Sequence, residues 1–159
     1  MPVMPDDIPG AEEGTDVDGG MYHGKCYCGD IEFEFPRATA GPIVHCHCSS
    51  CREWTGGAFL TGLVTKSLPT YTKGKPGTFK RKGAFATKCF CKTCGTQIGN
   101  MYPEASGLGM SVMLGIVNEH SEFSATHVQC HCQMKGRAPW IDVSADGVKQ
   151  LDGFPAPPK

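Results

Sequence analysis

Lys25-Cys26-Tyr27-Cys28-Gly29-Asp30-Ile31-Glu32-Phe33-Glu34-Phe35 is the stretch on which the fold turns. Ile31, Phe33 and Phe35 alternate with Glu32 and Glu34, which is the period of two expected of a half-buried strand. Gly29-Asp30 supplies a turn, so Met21 to Phe35 reads as two short strands around it. Cys26 and Cys28, two residues apart, would put both sulfurs on one face of a strand. This one stretch therefore predicts a β hairpin that carries a pair of thiols.

Working outward, short β segments recur. Strands are expected near Ile43 to Cys46, Ala58 to Thr65, Gly109 to Val117, Ala125 to Gln129 and Trp140 to Val143. Pro69 to Arg81, basic and with two Gly turns, reads as a surface hairpin, and Ala84 to Phe90 leads into a Cys turn. Helix signals are weak apart from a turn after Cys48. With 21 Gly and 12 Pro among 159 residues, frequent turns favour a mostly β chain over a helical bundle. The length favours one domain with its own core, placed at residues 21–150. The first 20 residues hold six acids and no Lys or Arg, lack periodicity, and read as a disordered acidic tail. Residues 151–159 read as a Pro-rich tail. The rest of the chain carries 15 basic and 10 acidic residues, a mild excess that suits a small anionic substrate but not nucleic acid. No apolar run is long enough to span a membrane, and the N-terminus has no signal-peptide pattern. A cytoplasmic, reducing location is expected.

Ten cysteines in a reducing compartment call for a reason, and metal binding is the usual one. They fall into four groups: Cys26-x-Cys28, Cys46-x-Cys48-x-x-Cys51, Cys89-x-Cys91-x-x-Cys94 and Cys130-x-Cys132. A C-x-x-C pair on a tight turn converges its sulfurs, and a following Gly lets the backbone double back. Cys26 and Cys28 with Cys91 and Cys94 thus fit one tetrahedral zinc. Cys46, Cys48 and Cys51 could hold a second zinc with one position open, the pattern of catalytic sites. Cys89, His45, His47 or His127 are alternative donors that would close that position, and spacing does not choose between the two arrangements.

Gly24-Lys25-Cys26-Tyr27-Cys28-Gly29-Asp30-Ile31, then Cys46-His47-Cys48-Ser49-Ser50-Cys51-Arg52 with Gly56, then Phe90-Cys91-Lys92-Thr93-Cys94-Gly95-Thr96 together resemble the glutathione-dependent formaldehyde-activating enzyme family. The likeness runs from about Met21 to Val143 and takes in His127 and Trp140. The family also includes centromere protein V. The resemblance implies a β-tent fold of short antiparallel sheets organised around a structural zinc on Cys26, Cys28, Cys91 and Cys94. It also implies a more labile catalytic zinc on Cys46, Cys48 and Cys51. Glutathione is the implied thiol partner, formaldehyde the implied aldehyde, and carbon–sulfur lyase chemistry on S-hydroxymethylglutathione-type adducts the implied reaction. Cys89, Cys130 and Cys132 have no counterpart in the family pattern. Cys130 and Cys132 could face the open site or be plain free thiols, and free cysteines are most often simply packed.

Arg52, next to Cys51 and able to hold a carboxylate with two hydrogen bonds, is the best candidate for binding the substrate. Lys73, Lys75, Lys80, Arg81 and Lys82 are weaker candidates on an exposed face, and Trp54 reads as packing. Two other functions compete. A non-catalytic zinc module that binds glutathione or a protein partner would be favoured by a basic extension, whereas this chain has an acidic one. A methionine sulfoxide reductase of related architecture would be expected to carry two C-x-x-C zinc pairs and a separate redox cysteine.

Overall fold

The computed structural model describes residues 19–154. The acidic stretch lies outside these residues except for Gly19 and Gly20, as do residues 155–159 of the Pro-rich tail. The elements are β1 (Met21–Lys25), β2 (Glu32–Pro36), β3 (Ala40–Cys46), α1 (Ser49–Thr55), β4 (Leu60–Thr65), β5 (Thr70–Lys73), β6 (Gly77–Phe79), β7 (Thr87–Phe90), β8 (Gln97–Met101), β9 (Met110–Met113), β10 (Val128–Cys132) and β11 (Lys149–Gln150), with short 3-10 turns between them. The mostly β architecture matches expectation.

The strands form two sheets, one of three strands in the order β1-β2-β5 and one of eight in the order β11-β10-β3-β4-β9-β8-β7-β6. Neighbours are antiparallel except at one end of the large sheet, where β10 runs parallel to β3 and β11. The alternation in β2 is realised as read: Ile31, Phe33 and Phe35 are buried, and Glu32 is exposed. Phe33 and Phe35 meet Ile43, Leu63, Ile98, Met110 and Val112 of the large sheet in one core. Each such side chain contributes about 1.5–3 kcal/mol by leaving water. Gly24 in β1 makes room for this packing, because a Cβ there would lie 2.2 Å from the Phe33 ring.

Several local expectations are corrected. Pro69 to Arg81 is not a hairpin: β5 pairs with β2 in the small sheet and β6 with β7 in the large one. Gly74 turns the chain between them at φ +66, pressed so close to the Asp30 carbonyl that a Cβ would sit 2.2 Å from its oxygen. The strand expected at Ala125 to Gln129 begins at Val128 and runs on through Cys132. Only Met110–Met113 of the 109–117 segment is strand. Trp140 to Val143 is not a strand; Pro139, with no N–H to donate, precedes a Trp140 that is 70% exposed. Residues 151–153, assigned to the tail, hydrogen-bond to the body: Leu151 N donates to His131 O, and Gln133 N to Gly153 O. No helix among the described residues is long and apolar enough to cross a membrane.

Candidate metal centres

Cys26 and Cys28 sit in the turn from β1 to β2, and Cys91 and Cys94 in the turn from β7 to β8. Gly29 and Gly95 both have φ +77, the left-handed geometry that lets each turn fold back. The four sulfurs all lie within 4.8 Å of one another. Cys26 and Cys28 are 3.6 Å apart, and Cys28 and Cys91 3.8 Å. Sulfurs 2.3 Å from a tetrahedral zinc would stand about 3.8 Å apart, so this donor set fits such an ion.

The surroundings favour negative charge on Cys26 and Cys94. The Ile31 amide donates to Cys26 Sγ at 3.2 Å, and the Thr96 hydroxyl lies 3.1 Å from Cys94 Sγ. The Thr96 hydroxyl and amide bring the Cys94 thiol down to about 6. The Asp30 amide pulls Cys28 the same way, but burial and the neighbouring thiols win and push it up to about 12. Four close thiols cannot all ionise without a cation among them.

The second group forms at the end of β3 and the start of α1. Cys46 and Cys48 are 3.5 Å apart, and Cys51 lies within 4.8 Å of both. Cys48 also caps α1, its Sγ accepting from the Cys51 amide at 3.4 Å. Thiol hydrogen bonds from Cys46 and Cys51 pull Cys48 down to about 2, helped by the nearby Lys88 ammonium. Hydrogen bonding with Cys132 and Cys48 pushes Cys46 up, and Cys46, Cys48 and burial push Cys51 up.

The histidines offered as closing donors are elsewhere. His45 and His47 alternate with Cys46 and Cys48 and face the other way, against Phe59 and His131, with ring centroids 4.6–5.0 Å apart. His47 Nε2 is 2.8 Å from His131 Nδ1, and His131 Nε2 is 2.7 Å from Asp146 Oδ2. Burial, with His131 and His47 nearby, pulls His45 down to about 4. His127 is exposed and bonded to Ser124. Cys89 is buried in the main core, outside both sulfur groups.

The sequence leaves Cys130 and Cys132 either facing the open site or packed as plain free thiols. In the structure both are fully buried against Cys46, Cys51 and Leu60. Parallel pairing sets Cys132 beside Cys46 and His131 beside His45. Cys132 lies beside Cys130 and Cys46 but is not within the group of three. The signal was present in sequence, since Cys130-His131-Cys132 repeats Cys46-His47-Cys48. Lys88 and Asn100 carried no such signal. Lys88 Nζ donates to Asn100 Oδ1 at 2.9 Å, and Asn100 Nδ2 points to Cys51 Sγ at 3.9 Å. Arg52 donates through Nε to the Gly136 carbonyl at 2.9 Å, tying α1 to the loop after β10. Lys73 is bonded to the Gly29 carbonyl and Arg81 to Glu53.

Fold and sulfur geometry together define a β protein built around thiol groups able to hold metal ions. More closely, the chain belongs to the glutathione-dependent formaldehyde-activating enzyme family, whose sequence profile matches residues 21–134. A protein of Schizosaccharomyces pombe named as an uncharacterized lyase is 30% identical over 81 residues, 48% of this chain. This chain spans about half of that relative's length, 55%. A crystal structure of a Rhodobacter sphaeroides protein is similar at 15% identity, covering 81% of this chain and 98% of that one, with a TM-score of 0.46.

Proposed function

We propose that the protein makes or breaks the carbon–sulfur bond of glutathione–aldehyde adducts, of the S-hydroxymethylglutathione type. In this reading Cys26, Cys28, Cys91 and Cys94 hold a structural zinc, and Cys46, Cys48 and Cys51 hold a catalytic one. The observation that carries it is a group of three thiols with no fourth donor within the same 4.8 Å among the described residues, while the adjacent histidines face away. A zinc ion there would supply a positive centre that lowers the pKa of an incoming thiol.

The chain's own residues set up the rest. The Cys51 amide and the Asn100 amide group donate toward Cys48 and Cys51, orienting these sulfurs and spreading their charge. Leu60, Cys130 and Cys132 pack against Cys46 and Cys51 and bury them, leaving Cys48 half-buried. In the forward direction a thiol adds to the aldehyde carbon: one C–S bond forms, the S–H proton is given up, and the carbonyl oxygen gains a proton. Arg52, with guanidinium nitrogens beyond the Nε held by Gly136, is a proposed carboxylate contact.

Isothermal titration of the zinc-loaded protein with glutathione and with S-methylglutathione tests this. The free thiol should bind more tightly, Arg52→Ala should weaken binding without abolishing it, and Cys48→Ser should abolish the preference for the thiol. Equal affinity of the native protein for both ligands would overturn the mechanism.

A second reading rests on the contact of Cys132 with Cys46. If Cys132 joined the three thiols, the centre would be a closed, non-catalytic tetrathiolate, and the protein a zinc module that binds glutathione or a protein partner.

A further inference from the structure

Lys88 lies in β7 and is only 8% exposed. A buried ammonium is costly unless paired, yet its hydrogen-bond partner is the neutral Asn100 side chain, with the Trp54 ring 5.9 Å away and the Cys48 thiol also near. Among the described residues no carboxylate forms an ion pair with it. An ammonium has three donors, so the Asn100 bond leaves others to place.

Lys88 forms one wall of a cavity of about 150 Å³. Ser50, Glu53 and Trp54 of α1, with Phe79 and Arg81, form other parts of that wall. The Trp54 Nε1–H is buried with no hydrogen-bond partner. Glu53 is the wall's carboxylate, and Arg81 already neutralises it at 2.8 Å. The lining thus holds an ammonium with no carboxylate partner, though near the Cys48 thiol, and an orphaned donor. Across the other side of Lys88, a single amide group, that of Asn100, separates the ammonium from Cys51 Sγ.

We infer that Lys88 and Trp54 form an anion subsite that takes a carboxylate of the thiol substrate while its sulfur lies at the three-cysteine centre. The inference rests on the proposed thiol-binding function. In glutathione the glycine carboxylate is one residue beyond the cysteine, a reach of about 3.5 Å of extended chain past the thiol-bearing residue. Lys88 Nζ is joined to Cys51 Sγ through the one Asn100 amide, by contacts of 2.9 and 3.9 Å, a span that a thiol and a carboxylate one residue apart can bridge. Lys88 is then a binding residue that selects for acidic thiols, and Asn100 positions both the ammonium and Cys51.

Isothermal titration of the zinc-loaded protein with glutathione, its glycine ethyl ester and S-methylglutathione separates this subsite from the thiol site. The native protein should bind glutathione about tenfold to a hundredfold more tightly than the ester, the range of one charge-assisted hydrogen bond. Lys88→Met should lower glutathione affinity to that of the ester while keeping its zinc content. Lys88→Arg should retain most of the preference, and Trp54→Phe should lose a smaller part. A Lys88→Met protein that still prefers glutathione over the ester would overturn the subsite. If that variant fails to fold, a Trp54→Phe protein with unchanged preference, or a native protein blind to the ester, overturns it equally. S-methylglutathione keeps both carboxylates, so its binding should also fall in Lys88→Met. If it binds as tightly as glutathione but still depends on Lys88, the thiol reading fails and the subsite stands. Absence of binding by all three ligands overturns both.

Discussion

At Cys132 a fully buried thiol meets Cys46 across a parallel strand pair. Its hydrogen bond with Cys130 pushes it up to about 12, so it stands there as a neutral thiol. Under the open-site proposal, Cys132→Ser should keep both zinc equivalents when metal is counted by a thiol-release assay. Loss of one equivalent would favour the closed module. Cys89 makes a contrasting case. It packs in the main core beside Cys91 but outside both sulfur groups, so Cys89→Ala should retain all zinc. Its cost should be about 1 kcal/mol in chemical denaturation, the usual size for a small buried truncation. The residue scale is also where sequence said least. Lys88 sits between half-buried Thr87 and buried Cys89 in a short strand, and only the fold brings Asn100 and Trp54 around it.

The four-cysteine group joins two turns that belong to different sheets, β1–β2 and β7–β8. An ion held there staples the sheets together, and its binding free energy becomes folding free energy. Cys26→Ser or Cys94→Ser should therefore give unfolded or insoluble protein, whereas Cys48→Ser should stay folded and lose only the second ion. Circular dichroism with metal counting checks this, and the opposite pattern would reverse the assignment. A smaller tie is the Arg37–Glu122 pair, at 2.6 and 2.9 Å, which fixes the end of β2 to the 3-10 turn at His120–Glu122. The Arg37 guanidinium holds the Glu122 carboxyl below its usual value. A lowered folded-state pKa means that this stabilisation is present above about pH 4.5 and is lost as the pH falls through the folded value. Both groups are more than a third exposed, so the loss in Glu122→Gln should be under about 1 kcal/mol at pH 7 and vanish at pH 2–3. Thermal melts at the two pH values would show it.

Elements with clean alternation, such as β2, were legible in the sequence, and so were the two sulfur groups, because ligand spacing is local. β8 was not: Gln97-Ile98-Gly99-Asn100-Met101 has no alternation, and Gly99 is there because a Cβ would lie 2.2 Å from the Ser111 carbonyl oxygen of β9. The false hairpin at Pro69 to Arg81 has the same origin. Partners from two different sheets cannot be read from a segment that looks self-sufficient.

On the scale of the whole molecule, both centres gather thiols that must lose protons to hold an ion. Zinc uptake should release protons, and apparent affinity should rise with pH, most steeply below the ordinary thiol range. Competition against a chelator at pH 6 and pH 8 would measure this, and a flat response would argue against thiolate ligation. The large sheet has its own order of assembly. β3 and β4 are neighbours in the chain, but the strand that covers the other edge of β3 is β10, more than 80 residues later. During synthesis, the edge bearing Val44, His45 and Cys46 therefore stays bare until almost the whole domain has left the ribosome. Pairings so distant in sequence form slowly. An uncovered strand edge is where nascent chains stick to one another. The newborn protein is thus at its most vulnerable late in its own translation, when its thiols are gathered but the strand that shelters them has not yet arrived.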